Sequence, residues 1–125
     1  MATITRFEEL DAWQTARDST NLVYDRSDHD PFASDVGLRD PIRQASVSVV
    51  SNIAEGFNSR TPKVFIDLLG RARGSAAEVQ SQPYPARDRE YISQKAVDEA
   101  YALADTASRQ IHGLIRYLRS RSNAS

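Results

Sequence analysis

Apolar residues recur every three to four positions along most of the chain, and no segment alternates with the period of a β-strand. The first such run is Phe7, Leu10, Trp13 or Gln14, Arg17, Thr20 or Asn21 and Tyr24, widened by Leu22 and Val23 into the broad stripe of a core-facing helix. Thr5-Arg6-Phe7-Glu8 has the spacing of a capping box, so the pattern predicts a helix over 5–26. Ser27-Asp28-His29-Asp30-Pro31 then carries turn-forming residue types.

Asp40-Pro41 is a strong start signal. A carboxylate can cap free amides, and proline in the first turn gives up a bond that does not exist there. The second helix is therefore expected over 40–58, with Ile42, Ala45, Val49, Ile53 and Phe57 as its buried stripe and the Gly56-Phe57-Asn58-Ser59 region as its stop. Thr61-Pro62 repeats the start signal for a third helix over 61–82, carrying Phe65, Leu68, Leu69, Ala72, Ala76 and Val79. Pro83 and Pro85 should end it, because an interior proline removes an amide donor and clashes with the carbonyl four residues back. Residues 83–92 are then a connector. Ser93 caps a fourth helix over 93–119, with the stripe Val97, Ala100, Ala104, Ala107, Ile111, Leu114 or Ile115, and Leu118.

Each segment is roughly 30–40 Å long, so the four can lie side by side. The fold expected is all-α, an antiparallel up-down-up-down four-helix bundle in one domain over 1–125.

Composition narrows the chemistry more than it identifies it. Sixteen alanines among the 125 residues make the apolar faces thin in places, which favours close helix packing. The absence of cysteine removes disulfides, thiolate metal sites and catalytic thiols. No apolar leader is visible at the N-terminus, and the longest uncharged stretch, 44–54, falls far short of the ~20 residues that span a bilayer. A cytoplasmic protein without a membrane segment is expected. The net charge of −1 conceals an acidic first half and a basic second half. Arginine outnumbers lysine fourteen to two, which suits phosphate recognition but equally fits a GC-rich genome.

Neither a metal nor a cofactor is expected. A two-metal carboxylate centre in a bundle needs Glu-x-x-His pairs, and the two histidines, His29 and His112, stand apart. Asp28, Asp30 and Asp35 lack the glycine and terminal glutamate of a calcium loop. No nucleophile elbow, phosphate loop or dinucleotide fingerprint occurs, so no catalytic residue and no small-molecule substrate is assigned. Trp13 reads as core.

The feature that needs explaining is Ser46-Val-Ser-Val-Val-Ser-Asn-Ile-Ala-Glu-Gly56, where Ser48, Asn52 and Glu55 run beside the apolar stripe together with Ser51. Serine, valine and asparagine are poor helix formers, so packing must hold such a run. Two readings fit: a solvent-facing edge, or a packed polar seam against another helix or subunit. If buried, Glu55 needs a partner, and Arg71 or Arg73 on the neighbouring helix is within reach. Gly74, Ser75 and Glu78 extend the logic to the third helix, where a glycine costs about 1 kcal/mol unless a backbone comes close. That close approach is either a crossing within the chain or a subunit contact. A separate candidate is phosphate contact through Arg109, Arg116, Arg119 and Arg121, with Arg71 and Arg73. Cations near a helix C-terminus also complement its dipole without any ligand.

Phe7-x-x-Leu10-x-x-Trp13, Leu38-Arg-Asp-x-Ile-Arg-x-Ala45, Ser51-Asn-Ile-Ala-Glu-Gly-Phe57 with Arg60-Thr61, Phe65-x-x-Leu68 and Ala72-x-Gly-Ser-x-x-Glu78 together resemble a family of bacterial four-helix bundle proteins. Some of its members are encoded in intervening sequences of 23S ribosomal RNA genes. The resemblance runs from about residue 7 to 118. It implies homopentamers of four-helix bundles around a central channel, with a molecular role that is unsettled. It also implies similarity to the pentameric accessory protein of diversity-generating retroelements, which works with a reverse transcriptase and nucleic acid. The partners expected are therefore further copies of the chain and, as the alternative, RNA or DNA. Pro41, Pro83 and Pro85 depart from the family pattern; a first-turn position absorbs Pro41, while Pro83 and Pro85 put the end of the third helix and any contact made there in question.

Overall fold

Asp35, rather than Asp40, opens the second helix. In the computed structural model, which describes residues 3–124 with side chains to Arg121, the Asp35 carboxylate accepts a hydrogen bond from the Leu38 amide at 3.3 Å. Helix α2 runs Val36–Phe57, so Pro41 falls inside it and not at its start. The Gly37 carbonyl, four residues back, loses its usual donor, but both residues are exposed and water can serve it.

The predicted first helix begins late as well. A single 3-10 turn covers Phe7–Glu9, Leu10 is extended with ψ 127°, and α1 then runs Asp11–Arg26. The capping threonine works one residue out of register. The Thr5 amide and hydroxyl donate to Glu9, at 3.3 and 3.2 Å, and not to Glu8. Phe7 folds back on Trp13, ring centroids 5.3 Å apart, and Trp13 packs half-buried against the core.

Helix α3, Pro62–Ser81, starts where the sequence places it, with the Thr61 hydroxyl accepting from the Val64 amide at 3.2 Å. Its end differs from a plain break. Gln82 stays in the right-handed helical region, and Pro83 begins a further short helix, α4, Pro83–Asp88, where a connector is predicted. Prolines at its first and third positions forfeit only amides that have no partner in a first turn. The short helix closes with a Schellman turn. The Tyr91 amide donates to the Ala86 carbonyl at 2.9 Å and the Glu90 amide to the Arg87 carbonyl at 2.8 Å, with Glu90 left-handed at φ 63°.

Helix α5 runs Gln94–Ala124, five residues beyond the predicted end, because nothing after Arg119 breaks a helix. Ser93 caps it through the Ala96 amide at 3.1 Å.

The long helices pack as a ring, α1 on α2, α2 on α3, α3 on α5 and α5 back on α1, and the described residues contain no strand. This is the expected four-helix bundle. Its core mixes bulky residues (Ile53, Leu69, Val79, Ile111) with the thin Ala16, Ala72, Ala76 and Ala104. Gly56 is the tightest point. A Cβ placed there would lie 2.6 Å from Phe65 Cδ1 and 3.4 Å from Leu68 Cβ, so the glycine belongs to the packed face of α2 and not to its stop.

Candidate functional site

Ser48, Asn52 and Ser75 meet between α2 and α3. Asn52 Nδ2 donates to the Ser48 carbonyl at 2.8 Å and to Ser48 Oγ at 3.0 Å, and Ser75 Oγ lies 2.9 Å from Ser48 Oγ. All three are half-buried, so part of the predicted polar line is a seam within the chain. It offsets the weak helix propensity of that run with two side-chain bonds within α2 and one across the hairpin. Ser51, Glu55, Gly74 and Glu78 lie outside it, exposed on the outer surfaces of α2 and α3.

Glu55 pairs with neither Arg71 nor Arg73. The antiparallel register sets Ser48 against Ser75 and Gly56 against Phe65 and Leu68, which leaves Glu55 on solvent. Arg73 turns the other way, toward α5, where its guanidinium reaches Ser108 Oγ at 3.4 Å and His112 Nδ1 at 3.3 Å. Nor does a helix of this chain press on Gly74. A Cβ built there, or at Gly70 one turn earlier, meets nothing within 4 Å. No crossing among the described residues therefore accounts for that glycine.

The six arginines do not form one patch. Arg109, Arg116 and Arg119 recur on the outer side of α5 at helical spacing, with His112 between them linking Arg73 to the group. Arg109 also pairs with Asp105 at 3.0 Å. Arg71 sits two residues before Arg73, about 200° around α3, and so leaves this face. Arg121 points to the opposite flank of α5, beside Tyr117.

The most constrained cation is one to which the sequence assigns no role. Arg43 Nε donates to the buried Ser27 Oγ at 2.8 Å, Arg43 Nη2 donates to the Ser27 carbonyl at 3.1 Å, and the guanidinium lies 4.5 Å from the Tyr24 ring centroid. It thereby holds the C-terminus of α1, where backbone carbonyls and the helix dipole favour a positive charge. Its sequence signal is the Leu38-Arg-Asp-x-Ile-Arg spacing, which places Arg43 beside the core-facing Ile42 but does not reveal Ser27. On the same end of the bundle, Tyr91 stacks on Phe32 and donates its hydroxyl to Asp35 at 3.0 Å. That carboxylate holds the phenol proton and raises the Tyr91 pKa above its ordinary value. Across the α1–α5 contact, the Arg26 guanidinium bonded to Glu99 at 2.6 Å lowers the pKa of that carboxyl.

Among the described residues no three His, Asp or Glu side chains converge on a metal position, and no helix is long and apolar enough to cross a membrane. The distinctive polar groups of the described residues hold helices together or line outer faces, and the fold is that of an all-α four-helix bundle protein. A family comparison agrees and goes further: residues 8–113 match the 23S rRNA-intervening sequence protein family, and the chain belongs to it. Comparison with curated proteins gives no match.

Proposed function

We propose that the protein is a non-enzymatic structural and interaction module of the cytoplasm that works as a homopentamer. The observation that carries this reading is the outer face of α3. Gly70 and Gly74 stand exposed there with nothing opposite them, and Ala77 continues the thin stripe. Two glycines inside a helix cost about 2 kcal/mol together, and this chain supplies no close contact to offset them. A neighbouring copy seated on α3, and on the exposed Val47 and Ser51 of α2, supplies one. Pentamers are also what the resemblance implies.

Light scattering should return five times the 13.9 kDa of the chain at micromolar concentration. Gly74→Arg should split that species while leaving the helical circular dichroism unchanged. A monomer for the unaltered chain overturns the reading.

A second reading, nucleic-acid binding, is favoured by the Arg73, Arg109, Arg116 and Arg119 face, repeated around an oligomer. If it holds, log affinity for duplex DNA falls with log salt at a slope of about −0.9 per phosphate contact. Arg109→Glu with Arg116→Glu then flattens that slope. A gel-shift salt series measures both, and a slope that the double variant leaves unchanged rejects the assignment of this face.

A further inference from the structure

The end of the bundle formed by the N-terminal segment, the α2–α3 turn and the end of α5 is not closed by the described side chains. Ile4 and Leu10, Phe57 and Phe65, and Leu114 and Leu118 converge around a cavity of about 570 Å³, within the range of small-molecule sites. None of the six is fully buried, so among the described residues apolar surface stays open to water where three parts of the chain converge. Phe57 and Phe65 meet edge to face at 6.2 Å and make a stiff aromatic wall.

The rim carries charge of one sign. Arg121 lies one turn beyond Leu118, on the same face of α5 as Leu114, and lines the cavity with Tyr117. Its guanidinium donates to the Tyr117 hydroxyl at 3.3 Å and lies 5.7 Å from that ring. None of the ion pairs among the described residues involves Arg121, and no acidic side chain lines the cavity. The phenol accepts from Arg121 and keeps its own proton to donate. An apolar hollow with a guanidinium and a hydroxyl donor at its lip complements a molecule that is hydrocarbon at one end and anionic at the other.

We propose that this cavity binds a free medium-chain fatty acid, with the alkyl chain between the aromatic wall and α5 and the carboxylate on Arg121 and Tyr117. All of the groups come from one protomer, so the site is independent of the oligomeric reading.

The test is calorimetric titration of the full-length protein at pH 7.5 with decanoate and with decanol, both below their aggregation limits. Decanoate should bind about tenfold more tightly, the advantage expected of a charge-assisted hydrogen bond at a partly exposed site. Arg121→Gln, an exposed position, should erase that preference, keep decanol affinity and leave the helical signal intact. Equal affinity for acid and alcohol, a preference that survives Arg121→Gln, or no saturable binding of decanoate would each overturn the proposal.

Discussion

Leu69→Ala should cost about 3–4 kcal/mol of stability and lower the midpoint of thermal unfolding by roughly 10 °C or more. Leu69 lies fully buried in the middle of α3, inside the cluster that joins Ile53 of α2 and Ile111 of α5. Removing its branched end leaves a hole whose walls are held by three helices. Its alanine neighbours Ala72 and Ala76 are already as small as a side chain can be and cannot lean in to fill it. Denaturant unfolding at a fixed protein concentration measures the loss, since any self-association adds a concentration-dependent term. Val36→Ala, at the exposed start of α2 and away from the proposed subunit contact, is the control and should change stability by less than about 0.5 kcal/mol. A comparable loss at the two positions would contradict the packing described above.

The second large effect is expected at Gly56. Gly56→Leu should destabilise the fold by about 3 kcal/mol, the upper part of the range for forcing extra methylenes into a packed core. Helix propensity alone predicts the opposite sign, because replacing an interior glycine usually gains about 1 kcal/mol. The contact decides. The first atom of any side chain at this position falls 2.6 Å from the Phe65 ring, and Leu68 prevents an easy retreat on the other side. The displaced Phe65 also forms the wall of the end cavity, so the same variant should weaken any ligand held there. Chemical denaturation of Gly56→Leu beside Gly74→Ala separates the two cases. The exposed glycine should gain stability within the protomer and the buried one should lose it. Gain at both positions would show that Phe65 moves aside without cost.

Several elements were legible from residue order because their causes are local. Thr61-Pro62 and Ser93 mark the starts of α3 and α5, since a hydroxyl that caps an amide three residues on needs no distant partner. The apolar spacing identified four long amphipathic helices, and the short α2–α3 joint made them antiparallel neighbours. The misplaced boundaries have causes that are only partly local. Asp35 and Asp40 are both competent caps by residue type, and Asp35, which opens the helix, is also held by the hydroxyl of Tyr91, 56 residues away in the chain. Pro83 does interrupt the hydrogen-bond ladder, but a proline that ends one helix is equally suited to begin the next.

The candidate site divided along the same line. That Ser48, Asn52 and Ser75 are polar positions bordering a core stripe was visible in their spacing, and Asn52 bonds Ser48 one turn back within α2, whereas the Ser75–Ser48 bond depends on the register of α2 against α3. Nearness in a hairpin makes Glu55 a partner for Arg71 or Arg73 only under another register of the two helices. The chain order could not show that Arg73 joins α5, that Arg121 parts company with the other arginines of its helix, or that Arg43 clamps Ser27.

Periodicity, caps and family motifs thus determined by themselves an all-helical bundle of the 23S rRNA-intervening sequence protein family, because these are properties of neighbouring residues and of the 3.6-residue turn. Which glycine is packed and which is open, which arginine is tethered, and where the bundle leaves its end uncovered were decided only by tertiary structure. Each of these depends on the axial offset between helices, and a shift of one residue turns a side chain through about 100° and exchanges core for solvent.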